Sequence, residues 1–159
     1  MKKVFFLLAI VLFFSACSST PKPQHHKKVS YKLKKKNYVT KKLFKSYKKW
    51  AGTKYCYGGT DCRGIDCSAL VQEIYKEAFH KKLPRTTRGQ IKVGKRVSKK
   101  QLKGGDLLFF KTSYNVLHVG IYLEKGEFIH TSSKYGVTLS NIYNPYWRSK
   151  YYEARRILL

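Results

Sequence analysis

Three residues could do chemistry together: Cys67, His118 and His130. Cys67 stands in GIDCSAL, residues 64–70, where a Gly-rich stretch gives way to an apolar run with helical spacing. A helix beginning at Cys67 would set its thiol among unpaired backbone N–H groups, at the positive end of the helix dipole. A thiol there is more easily ionised, and the thiolate is the nucleophilic form. Asp66 can accept N–H bonds as the cap of that helix and fix the turn. A thiolate needs an imidazole to take its proton and pass it to a leaving amine. The imidazole needs an acceptor on its other nitrogen to fix its tautomer. One cysteine and two histidines can fill all three roles. The other reading of Cys67 is a buried, inert thiol. His80, in the Lys-rich FHKK, reads as a surface residue.

The elements that must position these groups can be read from periodicity. Val39, Leu43, Tyr47 and Trp50 or Ala51 recur every three or four residues between lysines, which predicts an amphipathic helix ended by Gly52. Thr53–Ile65 reads as a loop rich in Gly, Tyr and Cys. Leu70, Val71, Ile74, Tyr75, Ala78 and Phe79 form the stripe of a second helix from Cys67, and Pro84 bars its extension. Residues 86–93 suit a short third helix. Strands are predicted at 106–111, 116–123, 128–132, 136–142 and 152–158. Helices first and strands after argue for α+β with an antiparallel sheet.

His118 opens the strand HVGIYL and His130 ends its partner FIH. Side chains alternate along strands. A regular two-residue turn at Lys125-Gly126 would pair Ile121 with His130 and send the two imidazoles to opposite faces. Their joint use therefore requires an odd loop or a bulge, and Gly126 suits the αL position of a three-residue loop.

The chain has 159 residues and a formal charge of +26. Lys2 and Lys3 precede an apolar run, Val4–Phe14, too short to span a bilayer but suited to an export signal. It ends in FFSACS, which resembles the bacterial lipoprotein signal. That resemblance implies cleavage before Cys17, lipid on Cys17, and, with Ser18 following, an outer-membrane protein facing the periplasm. An ordinary secretory signal is the alternative. Loss of Lys2 and Lys3 would leave about +24. Residues 17–36 then form a Lys-rich tether to a domain at 37–159. His25 and His26 lie in that tether as solvated residues. Such charge favours anionic surfaces, and export argues against nucleic acid as partner.

Five blocks in order carry a further resemblance: YCYGGTDCRGIDCSALVQ, LPRTT, GDLLFF, HVGIYL and FIHTSS, continued by NPYWRSKYYEARRIL. They resemble the NlpC-type family of cell-wall cysteine peptidases, and the likeness covers about residues 43–158. It implies a papain-like α+β domain with N-terminal helices packed on a central antiparallel sheet. It implies Cys67 as nucleophile, His118 as general base, His130 as the group orienting His118, and Tyr55 in the oxyanion region. Asp66, Ser68 and Arg85 match positions at the rim of the substrate groove. A core tyrosine is the plainer reading of Tyr55. The implied substrates are peptidoglycan stem peptides, cut at D-alanyl–meso-diaminopimelate cross-links or at γ-D-glutamyl–diaminopimelate bonds, by a monomer without a cofactor. A catalytically dead scaffold binding murein or lipopolysaccharide is the reading from another class. Ala69 departs from the family's usual glycine. Cys56 and Cys62 lie outside its motif; in an oxidising envelope they could bridge or remain free thiols. The spacing Cys-x5-Cys-x4-Cys fits no familiar zinc pattern, and no metal site is read from it.

Overall fold

The computed structural model describes residues 38–158. The expectations for the export signal, Cys17 and the tether fall outside them. Helix α1 (Tyr38–Trp50) buries Leu43 with the small Thr40 and Ser46, and lays Val39, Phe44, Tyr47 and Trp50 along the core. The chain leaves it at Gly52, whose φ of +83° is the left-handed conformation that favours glycine after a helix.

A small hairpin follows, β1 (Thr60–Asp61) with β2 (Gly64–Ile65), turning at Cys62 and Arg63. Helix α2 (Cys67–Phe79) begins at the residue expected and buries Leu70, Val71, Ile74, Tyr75 and Ala78. It stops at His80, which takes φ +52° while its N–H and that of Lys81 return to Lys76 and Tyr75 carbonyls. His80 is thus an exposed helix cap. Helix α3 (Thr87–Gln90) is a single turn capped by Thr86.

The main sheet is antiparallel throughout, in the order β3-β8-β4-β5-β6-β7. Its strands are β3 (Lys95–Val97), β4 (Leu107–Ser113), β5 (Val116–Tyr122), β6 (Glu127–Ser132), β7 (Gly136–Asn141) and β8 (Tyr151–Arg156). Both faces of its centre are covered, which is why β4 opens with four apolar residues instead of an alternating pattern. Leu107, Phe109, Val119, Ile121 and Ile129 meet α1 and α2 on one face. Leu108, Phe110, Tyr122, Phe128 and Ala154 line the other with Trp147, which comes from helix α4 (Pro145–Lys150). The papain-like α+β layout is as expected. Sequence periodicity missed α4, β3 and the small hairpin.

The β5–β6 connection resolves the problem of the two imidazoles. Ile121 pairs with Ile129 and Tyr122 with Phe128, so Glu124, Lys125 and Gly126 form a three-residue loop. Lys125 and Gly126 take φ of +51° and +84°. The odd loop shifts the register by one, and His118 and His130 fall on the same face. They bond to one another across the space beside Gly120. A Cβ at Gly120 would stand 2.6 Å from the Phe128 ring and 2.8 Å from the Ile129 carbonyl, so the G of HVGIYL is needed for close approach.

Candidate active site

The head of α2 is built around Asp66. Its carboxylate accepts the Ala69 N–H at 2.7 Å and the Ser68 hydroxyl at 2.9 Å, and Arg85 clasps it with two nitrogens at 3.0 and 2.7 Å. Burial alone would raise this carboxyl, but the Arg85 guanidinium and the two other donors outweigh it and hold Asp66 below its usual range. Arg85 also donates to Ser68 Oγ and to the Gly58 and Gly59 carbonyls, which fastens the Gly-rich loop to the helix head. Tyr55 is seated beside the same turn, because the backbone at 54–56 bridges Ile65.

Cys67 is partly buried at this head. Burial pushes its thiol up, and the Asp66 charge adds to the effect. Hydrogen bonds from the Val119 N–H, the Thr87 hydroxyl and the Ser68 N–H pull the other way without winning. Thr87 Oγ1 lies 3.8 Å from the sulfur. The expectation of an easily ionised thiol is therefore corrected. The helix head supplies donors for a thiolate, yet desolvation keeps the resting sulfur protonated.

Across the cleft, His118 Nε2 and His130 Nδ1 are 3.1 Å apart, and His130 Nε2 and Ser140 Oγ 2.9 Å. If His118 Nε2 donates to His130, then His130 donates onward to Ser140, and His118 Nδ1 is left as a free base. Trp147 stacks on His118 at 5.4 Å between centroids and meets His130 edge-on at 4.8 Å. Phe128 packs on His130 from within the sheet. Burial drives His118 down to about 4. It drives His130 to about 3, with repulsion from His118 adding to the effect. Both rings are thus neutral at neutral pH. No hydrogen bond joins Cys67 to His118 among the described residues; resting catalytic pairs are often loose and tighten with substrate.

Tyr55, Asp66, Cys67, Ser68, Arg85, His118 and His130 all line one cleft of about 980 Å³. Tyr55 is 40% exposed there, so it is not a core residue. The polar groups of Asp66 and Arg85 are already bonded to one another and to the loop, which makes them the frame of the helix head. Thr87, Ser140 and Trp147 join the site without having been foreseen. Ser140 could not have been: it is one polar residue in a strand of mixed pattern. The bridge considered for Cys56 and Cys62 is not formed, and both are exposed free thiols. Cys56 packs at the base of the small hairpin, its Cβ over Gly64, whereas Cys62 stands at the hairpin's turn.

A model of the NlpC/P60 family matches residues 52–156. The chain belongs to that family. It is accordingly a cysteine peptidase, and the groups that line its cleft are of the kind such chemistry needs. A probable endopeptidase of Haemophilus influenzae strain Rd is 38% identical over 157 residues, covering 98% of each chain. The murein DD-endopeptidase MepS/murein LD-carboxypeptidase of Escherichia coli K12 is 42% identical over 120 residues. That match covers 76% of this chain and 64% of the E. coli protein, so this chain spans less than two thirds of that relative. Among solved structures, an NlpC/P60 family protein from Bacillus cereus superimposes with a TM-score of 0.68 at 31% identity, over 76% of this chain and 40% of that one.

Proposed function

We propose that this NlpC/P60 protein is a peptidoglycan endopeptidase that hydrolyses D-alanyl–meso-diaminopimelate cross-links through Cys67, His118 and His130. The observation that carries the reading is the bonded pair His118–His130, which opens into the same cleft as the thiol at the head of α2. The E. coli relative named as a murein DD-endopeptidase supports the choice of bond.

In this reading the resting site is neutral. When a stem peptide displaces water, the Cys67 proton moves to His118 Nδ1 as sulfur attacks the carbonyl carbon. The developing oxyanion takes hydrogen bonds from the Tyr55 hydroxyl and from the head of α2. His118 then protonates the leaving amine, and the C–N bond breaks to give a thioester. Water, losing its proton to His118, attacks the thioester. The acid product leaves and the thiol recovers its proton. His130, held through Ser140, keeps His118 in the tautomer that leaves Nδ1 free. Lipid on Cys17 and the Lys-rich tether would hold the domain at the outer membrane, facing the wall.

Digestion of purified cross-linked muropeptides by the full chain, with mass analysis of the products, tests the proposal. Separation of a cross-linked dimer into monomers by addition of one water is expected. Cleavage between glutamate and diaminopimelate instead would reassign the bond, and no product from any muropeptide would refute the substrate.

A further inference from the structure

The cleft holds two guanidinium groups, and their surroundings differ. Arg85 is bonded on both terminal nitrogens, to Asp66, Ser68 and the carbonyls of Gly58 and Gly59. Among the described residues Asp66 is the one carboxylate that lines the cleft, so Arg85 and Asp66 cancel locally. Arg88, on α3, lines the same cleft and is exposed. Its contact is a long one, Nη2 to the Asn115 carbonyl at 3.4 Å. Among the described residues no salt bridge includes it. Among the described residues the cleft therefore carries one uncompensated cation, with most of its donors free.

Its position is set from two sides. Thr87, the residue before it, touches the Cys67 sulfur. Asn115, at the tip of the β4–β5 hairpin, takes φ +56°, a conformation Asn accepts more readily than most residues, and its carbonyl meets the guanidinium. A planar fork with free donors, lining the same cleft as the nucleophile, is suited to a substrate carboxylate.

We infer that Arg88 recognises a substrate carboxylate adjacent to the bond being cut, and so selects among stem peptides. The inference rests on the peptidase reading above. The chemistry of the substrates agrees with it. A D-alanyl–diaminopimelate cross-link carries a carboxylate on the carbon that bears the leaving amine. A γ-linked glutamate keeps a free α-carboxylate too, at the far end of the side chain whose carbonyl is cut. A carboxypeptidase substrate ends in a carboxylate one residue past the bond. Arg88 would therefore favour the charged form of the substrate over its amide.

The test uses the full chain and two synthetic cross-linked stem peptides that differ in one group, a carboxylate or a carboxamide on the carbon bearing the leaving amine. The wild-type chain should prefer the carboxylate roughly 10–100-fold in kcat/KM, the range for a charged hydrogen-bond pair. Arg88→Gln should bring that ratio to within about threefold of one, and Arg88→Lys should leave it intermediate, since charge remains without the fork. A wild-type chain that cleaves both peptides equally overturns the inference while leaving the peptidase reading intact. So does an Arg88→Gln variant that keeps the full preference. A wild-type chain that cleaves neither peptide, nor any muropeptide, removes the peptidase reading and this inference with it.

Discussion

Lowering the pH from 7 to 5 should weaken the fold, and the two imidazoles of the cleft should be the cause. Burial holds His118 at about 4 and His130 at about 3. In the unfolded chain each returns to about 6.5. Between those limits the unfolded state binds more protons than the folded state, so stability rises with pH there. The contribution is fully present above 6.5 and is lost as pH falls towards the folded values. At pH 5 each unfolded imidazole is almost fully protonated and each folded one almost neutral. The loss is then set by the ~1.5 units between 6.5 and 5, about 2 kcal/mol for each ring and about 4 for both. Against a typical total of about 5–15 kcal/mol that is a large effect. Other groups act elsewhere. Asp66 is held low, so its stabilising effect is lost only in stronger acid, while burial raises Glu127 and gives it the opposite sign. Urea unfolding of the full chain at pH 7, 6 and 5, followed by tryptophan fluorescence, reads the effect directly, since Trp147 packs on both rings. His118→Gln and His130→Gln should each remove about half of the pH dependence. A wild-type stability that is flat between pH 7 and 5, or a variant that keeps the whole slope, would refute the reasoning.

Cys67→Ser should abolish muropeptide hydrolysis with the fold intact, because the site is built for sulfur and a hydroxyl is far harder to ionise; turnover by the folded variant would sink the nucleophile assignment. In the tautomer that frees His118 Nδ1, Ser140→Ala leaves the buried His130 Nε2–H without its acceptor, at a cost of about 1–3 kcal/mol, and should lower kcat by about tenfold through a poorly oriented His118. Unchanged kcat would show that His130 needs no anchor. Gly120→Ala places a methyl against the Phe128 ring and the Ile129 carbonyl and should cost about 1–3 kcal/mol in thermal or urea unfolding. Wild-type stability in that variant would mean that the two strands part easily at the histidines.

What could be read in advance was set by local rules. The period of α2 and the Asp66 cap identify the helix and its first residue, and both follow from short-range chemistry. The three-residue loop was legible in a less usual way. Alternation along two strands and the shared use of two imidazoles contradict one another unless the turn is odd, and Gly126 is the residue that lets it be odd. The misses have physical reasons too. Strands β1 and β2 have two residues each, and β3 is Lys-Arg-Val at a sheet edge, so none of them carries an alternating pattern. Helix α4 spans six residues, too few for a period, although Asn144 as cap and Pro145 in its first turn are a recognisable start. Ser140 and Thr87 owe their roles to distance alone, from residues 10 and 20 positions away.

The corrected ionisation of Cys67 changes how the cleft works. A helix head in water would favour the thiolate, and an imidazolium beside it would hold an ion pair at rest. Here burial raises the thiol and lowers both imidazoles, so each group is pushed towards its uncharged form. Asp66 adds a negative field that disfavours a thiolate, and its bidentate pair with Arg85 confines that field to the helix head. The donors that would stabilise sulfur as an anion, from Val119, Thr87 and Ser68, are nevertheless in position. Charge separation is therefore costly until something else enters the cleft. A substrate that brings a carboxylate to Arg88 and a carbonyl to the sulfur lets proton transfer and attack proceed together, without a stored ion pair. Such a thiol should react slowly with small alkylating agents in the absence of substrate. Iodoacetamide labelling of Cys67 at pH 7, with Cys56 and Cys62 as exposed internal standards, should be slower at Cys67 than at either of them. Faster labelling at Cys67 would mean that a resting thiolate exists and that the helix head outweighs burial after all.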